Sequence, residues 1–141
     1  ASEDIGNADP YALTLATSCF TAVDYIGMPE ARIVLSQTAT YLASVPKSNA
    51  SYMAIEKAHA DVVKLQNEPV PLHLRNAPTK LMEELNYSKG YKYAHDFENN
   101  FTEQQFLPDN LKDKMYYKPT DNGREKILRE RLNQLWKKKK R

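Results

Sequence analysis

The sequence predicts an all-α fold, a helical bundle followed by a long irregular aromatic-rich segment. Three observations carry that expectation. Apolar residues recur at helical spacing in three stretches between residues 10 and 65. Those stretches are bounded by Pro, Gly or a capping side chain, and a fourth amphipathic stretch follows Thr120.

The first helix is expected to open at Asp9-Pro10. Asp caps free backbone N–H groups, and Pro at the first helical position gives up no donor the helix needs. It carries Leu13, Leu15, Ala16, Cys19, Phe20, Val23 and Ile26 and stops at Gly27, a residue suited to the position just past a helix end. Apolar residues fall on most of its sides, so it is expected to be buried, against another subunit if not within its own. Pro29-Glu30 opens the second helix, with Ile33, Val34, Leu35, Ala39, Tyr41 and Leu42. Pro46 ends it, because the residue before a proline is pushed out of the α region. Ser48 or Asn49 caps a third helix through Met53, Ala54, Ile55, Ala58, Val62 and Leu65. Small residues such as Ala16, Ala31, Ala39 and Ala54 allow these helices to approach closely.

The character changes at Glu68. Pro69, Pro71 and Pro78 make the next stretch an extended, semi-rigid connector. A short helix from Thr79 to Leu85 ends near Asn86. The irregular stretch that follows holds Tyr87, Tyr91, Tyr93, Phe97, Phe101, Phe106, Tyr116 and Tyr117, together with Pro108 and Pro119. A structureless loop of that length is unusual, so its aromatics are expected to fasten it to the bundle, with a helical turn near Pro108–Lys112. The last helix is expected from Thr120 or Asp121, through Ile127, Leu128, Leu132, Leu135 and Trp136. The chain thus reads as one domain, with a bundle core at 1–67, a Pro/aromatic-rich connector with short helices at 68–119, and a basic C-terminal helix at 120–141.

Composition bounds the function. The 141 residues suffice for one domain with a real core, and 41% hydrophobic with 27% charged residues is ordinary globular usage. No apolar run approaches the ~20 residues of a membrane span. The acidic start, Ala1-Ser2-Glu3-Asp4, is unlike a signal peptide, and the absence of an initiator Met is expected of a piece of a longer chain. The single cysteine, Cys19, excludes an internal disulfide, fits a reducing cytoplasm, and is expected to be a small buried apolar residue. Net charge is +2, unevenly spread: residues 120–141 hold nine Lys/Arg against three Asp/Glu, and residues 1–119 hold eleven against fifteen. That asymmetry calls for a partner for the tail.

Catalytic chemistry finds no foothold. A phosphate-cradling loop needs closely spaced glycines followed by Lys and Ser/Thr, and Gly6, Gly27, Gly90 and Gly123 open no such motif. His59, His73 and His95 lack the spacing of common zinc motifs, so no metal site and no catalytic residue is assigned.

Two surfaces stand out instead. Leu13, Phe20, Val23, Ile33, Leu35 and Leu42 are candidates for an oligomer interface, and Phe20→Ala or Leu42→Ala is expected to damage folding or assembly by roughly 2–5 kcal/mol. Lys89, Tyr91, Lys92 and Tyr93, where cations alternate with rings, resemble the stacking platforms that hold single-stranded nucleic acid. The competing reading is that these rings pack inward and the lysines point to solvent. Lys137, Lys138, Lys139, Lys140 and Arg141 could neutralise phosphates, or could be a solvated helix end favoured by the helix dipole.

Several strings carry a family resemblance. The start from Ser2 to Pro10, Pro46-Lys47-Ser48-Asn49-Ala50, the run from Pro69 to Met82, and Gly90-Tyr91-Lys92-Tyr93-Ala94-His95-Asp96 are similar to the C-terminal region of RarA/MgsA (Werner-helicase-interacting) AAA+ ATPases. Gln105-Phe106-Leu107-Pro108 and Tyr116-Tyr117-Lys118-Pro119-Thr120 complete the pattern in order. The resemblance implies a fold like a clamp-loader collar, a post-AAA+ oligomerisation domain that makes a homotetramer. It implies that ATP and Mg belong to an ATPase domain outside this chain, and that the parent is a DNA-dependent ATPase of replication, recombination and repair at stalled forks. The partners it implies are the chain itself, DNA through the full-length protein, and fork proteins such as single-strand-binding protein, in a bacterial cytoplasm near the nucleoid. Two readings stand beside the oligomerisation module: direct binding of single-stranded or forked DNA, and a small enzyme built on the three histidines.

Overall fold

The structure is a computed structural model that describes residues 1–136; residues 137–141, and with them the candidates Lys137, Lys138, Lys139, Lys140 and Arg141, lie outside the described residues. The fold is all-α. Its α-helices are α1 (Tyr11–Ile26), α2 (Ala31–Ser44), α3 (Ala50–Leu65), α4 (Lys80–Glu84) and α5 (Glu125–Leu135), with short 3-10 turns at Gly6–Ala8, Leu72–Leu74, Ala94–Asp96, Glu98–Asn100 and Asp109–Leu111. No helix among the described residues is long and apolar enough to cross a membrane.

Contacts divide the chain into two compact units. One comprises Ala1–His59 with Tyr116–Gln134, the other Ala60–Met115 with Leu135 and Trp136 among the described residues.

The first unit is organised by the α1–α2 hairpin. Asp9 Oδ1 accepts from the Tyr11 N–H at 3.1 Å, and the Gly27 N–H closes the far end of α1 on the Val23 carbonyl. A four-residue link returns the chain antiparallel, so Tyr11 meets Tyr41 edge-on at 5.9 Å and the Cys19 thiol faces the Val34 carbonyl at 3.9 Å. The seam is narrow because its innermost residues are small: Ala12 and Cys19 from α1, Ala31 and Thr38 from α2, all buried. Within each helix these pairs are seven apart, two turns, and therefore share one side. Thr38 keeps its hydroxyl satisfied on the Val34 carbonyl at 3.0 Å. α3 starts at the expected caps, with the Ala50 N–H on Ser48 Oγ at 3.2 Å and the Met53 N–H on the Asn49 carbonyl.

Inside the protomer α1 buries only Ala12 and Cys19. A two-helix seam covers one side of each helix, and the remaining apolar sides meet solvent. The last helix begins at Glu125, not at Thr120 or Asp121. Gly123 has a positive φ of 52°, the Arg124 N–H is spent on the Ala8 carbonyl at 2.8 Å, and the Thr120 N–H is spent on the Glu125 carboxylate. Those donors and that backbone geometry are incompatible with a helix through 120–124.

The second unit is mostly irregular. Thr79 caps α4 by accepting from the Met82 N–H, and Asn86, with φ 63°, ends it in the left-handed region that Asn tolerates. Polar bonds bridge residues distant in sequence: Asn110 to Glu68 at 2.8 Å, His73 to the Gln105 carbonyl at 2.7 Å, and Lys114 to Asp61 at 3.1 Å. The aromatics fasten the segment only in part. Phe101 packs edge-on against Trp136 at 5.0 Å, and Arg75 lies over the Tyr87 ring, while Tyr91, Tyr93, Phe97 and Phe106 stay exposed.

Candidate interaction surfaces and a buried carboxylate

The interface candidates separate into two sets. Val23 and Leu42 are half-buried, each four residues beyond a seam residue, Cys19 or Thr38, and so on the same side of its helix. Leu13 and Phe20, seven residues apart on one side of α1, are 51% and 78% exposed, and Ile33 and Leu35 of α2 are exposed as well. Tyr25 at 83%, Ile26 and Met28 extend the apolar surface around the α1–α2 turn. These side chains leave much of the hairpin's apolar surface facing solvent within the protomer.

Beneath the start of α5 lies a feature that reading the sequence missed. Glu125 is fully buried, with no cation against it among the described residues. Its Oε2 accepts from Ser48 Oγ at 2.7 Å, from the Thr120 N–H at 2.8 Å and from Thr120 Oγ1 at 2.8 Å; Oε1 accepts from the Tyr117 hydroxyl at 2.9 Å. Burial pushes its carboxyl upward, but the Thr120 N–H and the three hydroxyls outweigh it and hold the group below the ordinary carboxylate range. As the first residue of an eleven-residue helix, Glu125 also sits where the helix dipole favours a negative charge.

The knot extends outward. Asn7 Nδ2 donates to the Tyr117 oxygen and to Ser51 Oγ, both at 3.1 Å, and Asn122 Nδ2 donates to the Lys47 carbonyl at 2.9 Å. Burial pushes the Tyr117 phenol up, so its hydroxyl stays protonated as a donor. Two glycines permit the close approach. A Cβ on Gly123 would overlap the Ala8 carbonyl, and one on Gly6 would come 2.9 Å from the Ser48 carbonyl oxygen. The chemistry is structural, because four internal donors hold this carboxylate and no solvent reaches it. Its sequence signal was faint: Glu125 reads as an ordinary first-turn acid, although Tyr117 and Thr120 stand just upstream.

The cation–aromatic stretch presents its rings to solvent. Tyr91 and Tyr93 are 51% and 54% exposed, and the Tyr93 ring lies 5.0 Å from His95 at a 48° tilt. Lys89 Nζ reaches Asn86 Oδ1 at 3.1 Å, and the Lys92 N–H is anchored on Gln104 Oε1 at 2.8 Å. The three histidines go to different tasks: His73 holds the Gln105 carbonyl, His95 packs on Tyr93, and His59 lies on α3. Among the described residues no group of three or more His, Cys, Asp or Glu converges where a metal could be held.

Comparison with known proteins assigns the family. The model described as "MgsA AAA+ ATPase C terminal" matches residues 1–136. The chain belongs to the MgsA C-terminal family. It is 44% identical over 133 residues to a replication-associated recombination protein A of Coxiella burnetii, covering 94% of this chain and 30% of that protein. The protein of the same name in Escherichia coli K12 is 42% identical over 133 residues, again 94% of this chain and 30% of its own length. An ATPase named WRNIP1 in Dictyostelium discoideum is 41% identical over 118 residues, 83% of this chain and 14% of that protein. The chain therefore spans about 30% of the length of these bacterial relatives and corresponds to the C-terminal domain of an AAA+ ATPase family associated with replication and recombination.

Proposed function

We propose that this MgsA C-terminal domain is the non-catalytic self-association module of a RarA-type ATPase, assembling as a homotetramer like a clamp-loader collar. The observation that carries this reading is the solvent-facing apolar surface of the α1–α2 hairpin, with Leu13, Phe20, Tyr25 and Ile33 all more than half exposed. Stable interfaces bury about 800 Å² per partner, and large exposed side chains on one hairpin can contribute to such an area. The seam residues are small, so the protomer spends little of its apolar surface internally and keeps it for neighbours.

ATP and Mg belong, on this reading, to an ATPase domain outside the chain, since Gly6, Gly27, Gly90 and Gly123 open no phosphate loop. The full-length protein would meet DNA, and fork proteins such as single-strand-binding protein, in the bacterial cytoplasm. A tetramer would multiply any weak contact made by each copy.

Sedimentation equilibrium over a wide concentration range tests the module. A mass of four chains is expected. A strictly monomeric chain at tens of micromolar would overturn the proposal.

A further inference from the structure

We infer that residues 4–8 form a conformational strap. It locks the starts of α3 and α5 to one another, and its displacement releases both together while the α1–α2 hairpin stays closed. The strap shares no residue with the exposed hairpin surface, so it stands or falls independently of self-association.

The strap reaches two places far apart in the chain. The Asp4 carbonyl accepts from the Ser48 N–H at 2.8 Å, just ahead of α3, and the Ala8 carbonyl accepts from the Arg124 N–H at 2.8 Å, just ahead of α5. Between them the Asn7 side chain spans both sides. Its Nδ2 donates at 3.1 Å to Ser51 Oγ on α3 and at 3.1 Å to the Tyr117 oxygen, whose own hydroxyl donates to Glu125. Ile5 and Ala8 are buried, so the strap is part of the core. Among the described residues, α1 and α2 are the α-helices that pack along one another. The start of α5 is held instead by hydrogen bonds at Arg124 and Glu125.

Asp9 marks where the strap ends. Its carboxylate accepts from the Tyr11 N–H at 3.1 Å and from the Tyr41 hydroxyl at 2.6 Å, so one side chain pins the start of α1 to α2. Pro10 follows with the φ its ring fixes. A displacement that enters at Asp4 therefore acts on the α3 and α5 bonds and stops at the Asp9 pin. Those bonds share atoms. Tyr117 receives from Asn7 and donates to Glu125, and Glu125 in turn holds Ser48 and Thr120, so losing one partner loosens the rest. A linked set of this kind opens as one unit, at a free energy below that of global unfolding.

The test is amide hydrogen exchange, read by NMR on the full 141-residue chain in sub-denaturing urea. The Ser48, Thr120 and Arg124 amides are expected to share one opening free energy and one urea dependence. Both quantities should be smaller than those of the α1 and α2 amides near Cys19 and Thr38. Asn7→Ala removes a side chain that bonds to none of these three amides, yet it should speed all three by one common factor of about tenfold. Phe20→Ala, aimed at self-association, should leave them unchanged; a shift there would show that assembly, and not the strap, holds them. Separate opening free energies in the wild type, or unequal factors in Asn7→Ala, would each overturn the strap. Should Asn7→Ala fail to fold, the wild-type comparison decides. Opening of the three amides only together with the hairpin overturns the strap, and their shared opening below the hairpin supports it.

Discussion

Ser48 donates its hydroxyl to Glu125 at 2.7 Å across 77 residues of chain, and the carboxylate it meets is fully buried. Ser48 is also the residue whose oxygen receives the Ala50 N–H at the start of α3. One hydroxyl therefore sets the start of α3 and ties it to the start of α5. A buried charge is tolerable only when hydrogen bonds compensate it, and here four donors do so.

Removing the carboxylate should therefore be costly. Glu125→Ala leaves Ser48, Tyr117 and Thr120 without their acceptor, and each buried donor left unpaired costs about 1–3 kcal/mol. A loss on the order of 3 kcal/mol or more is expected in urea denaturation. Glu125→Gln keeps the volume and one acceptor and should lose about 1–2 kcal/mol. Equal stability of wild type and Glu125→Ala would show the knot to be energetically idle.

Stability should fall on the acid side. The folded Glu125 carboxyl is held below its unfolded value, so the unfolded chain binds its proton first as pH drops. The contribution is complete above the unfolded carboxylate value and disappears as pH falls toward the folded one. Denaturation midpoints of wild type and Glu125→Gln should converge over that acid range and stay apart near neutral pH.

The glycines give a paired comparison. Gly123→Ala forces a side chain into the left-handed region, at about 1–2 kcal/mol, and adds overlap with the Ala8 carbonyl. Gly90→Ala carries the backbone strain alone, because nothing lies within 4 Å of its added Cβ. Thermal melting should rank Gly123→Ala well below Gly90→Ala, and an inverted order would contradict the packing of residues 8 and 123.

Phe20 and Leu42 should part company. Phe20 is exposed within the protomer, so Phe20→Ala should leave the melting of the dilute chain within about 0.5 kcal/mol of wild type while weakening assembly at least about tenfold. Leu42 is half-buried in the hairpin, so Leu42→Ala should lower protomer stability by about 2 kcal/mol. Sedimentation read beside circular dichroism separates the two effects.

The helices α1 to α4 were legible because their determinants are local. Asp9, Gly27, Pro46, Ser48 and Thr79 act on backbone groups within a few residues, and apolar spacing reports helical period directly. The family was legible for a related reason: its strings occur in order along the chain. The last helix was misplaced by five residues because Thr120 does act as a cap, accepting the Asn122 N–H, but Gly123 at positive φ and the Arg124 N–H on the Ala8 carbonyl delay the helix to Glu125.

Periodicity also could not sort the interface candidates. It assigns a residue to a side of its own helix, and only the pairing of α1 with α2 decides whether that side meets a partner or water. So Val23 and Leu42 turn inward while Leu13, Phe20 and Ile33 stand out. The sequence alone determined the helical class, the element boundaries set by caps and prolines, and the family. Tertiary structure alone decided which apolar faces remain open, that Tyr91 and Tyr93 reach solvent, and that Glu125 is buried. Local backbone chemistry is encoded within one or two helical turns, whereas burial depends on which distant segments close upon each other.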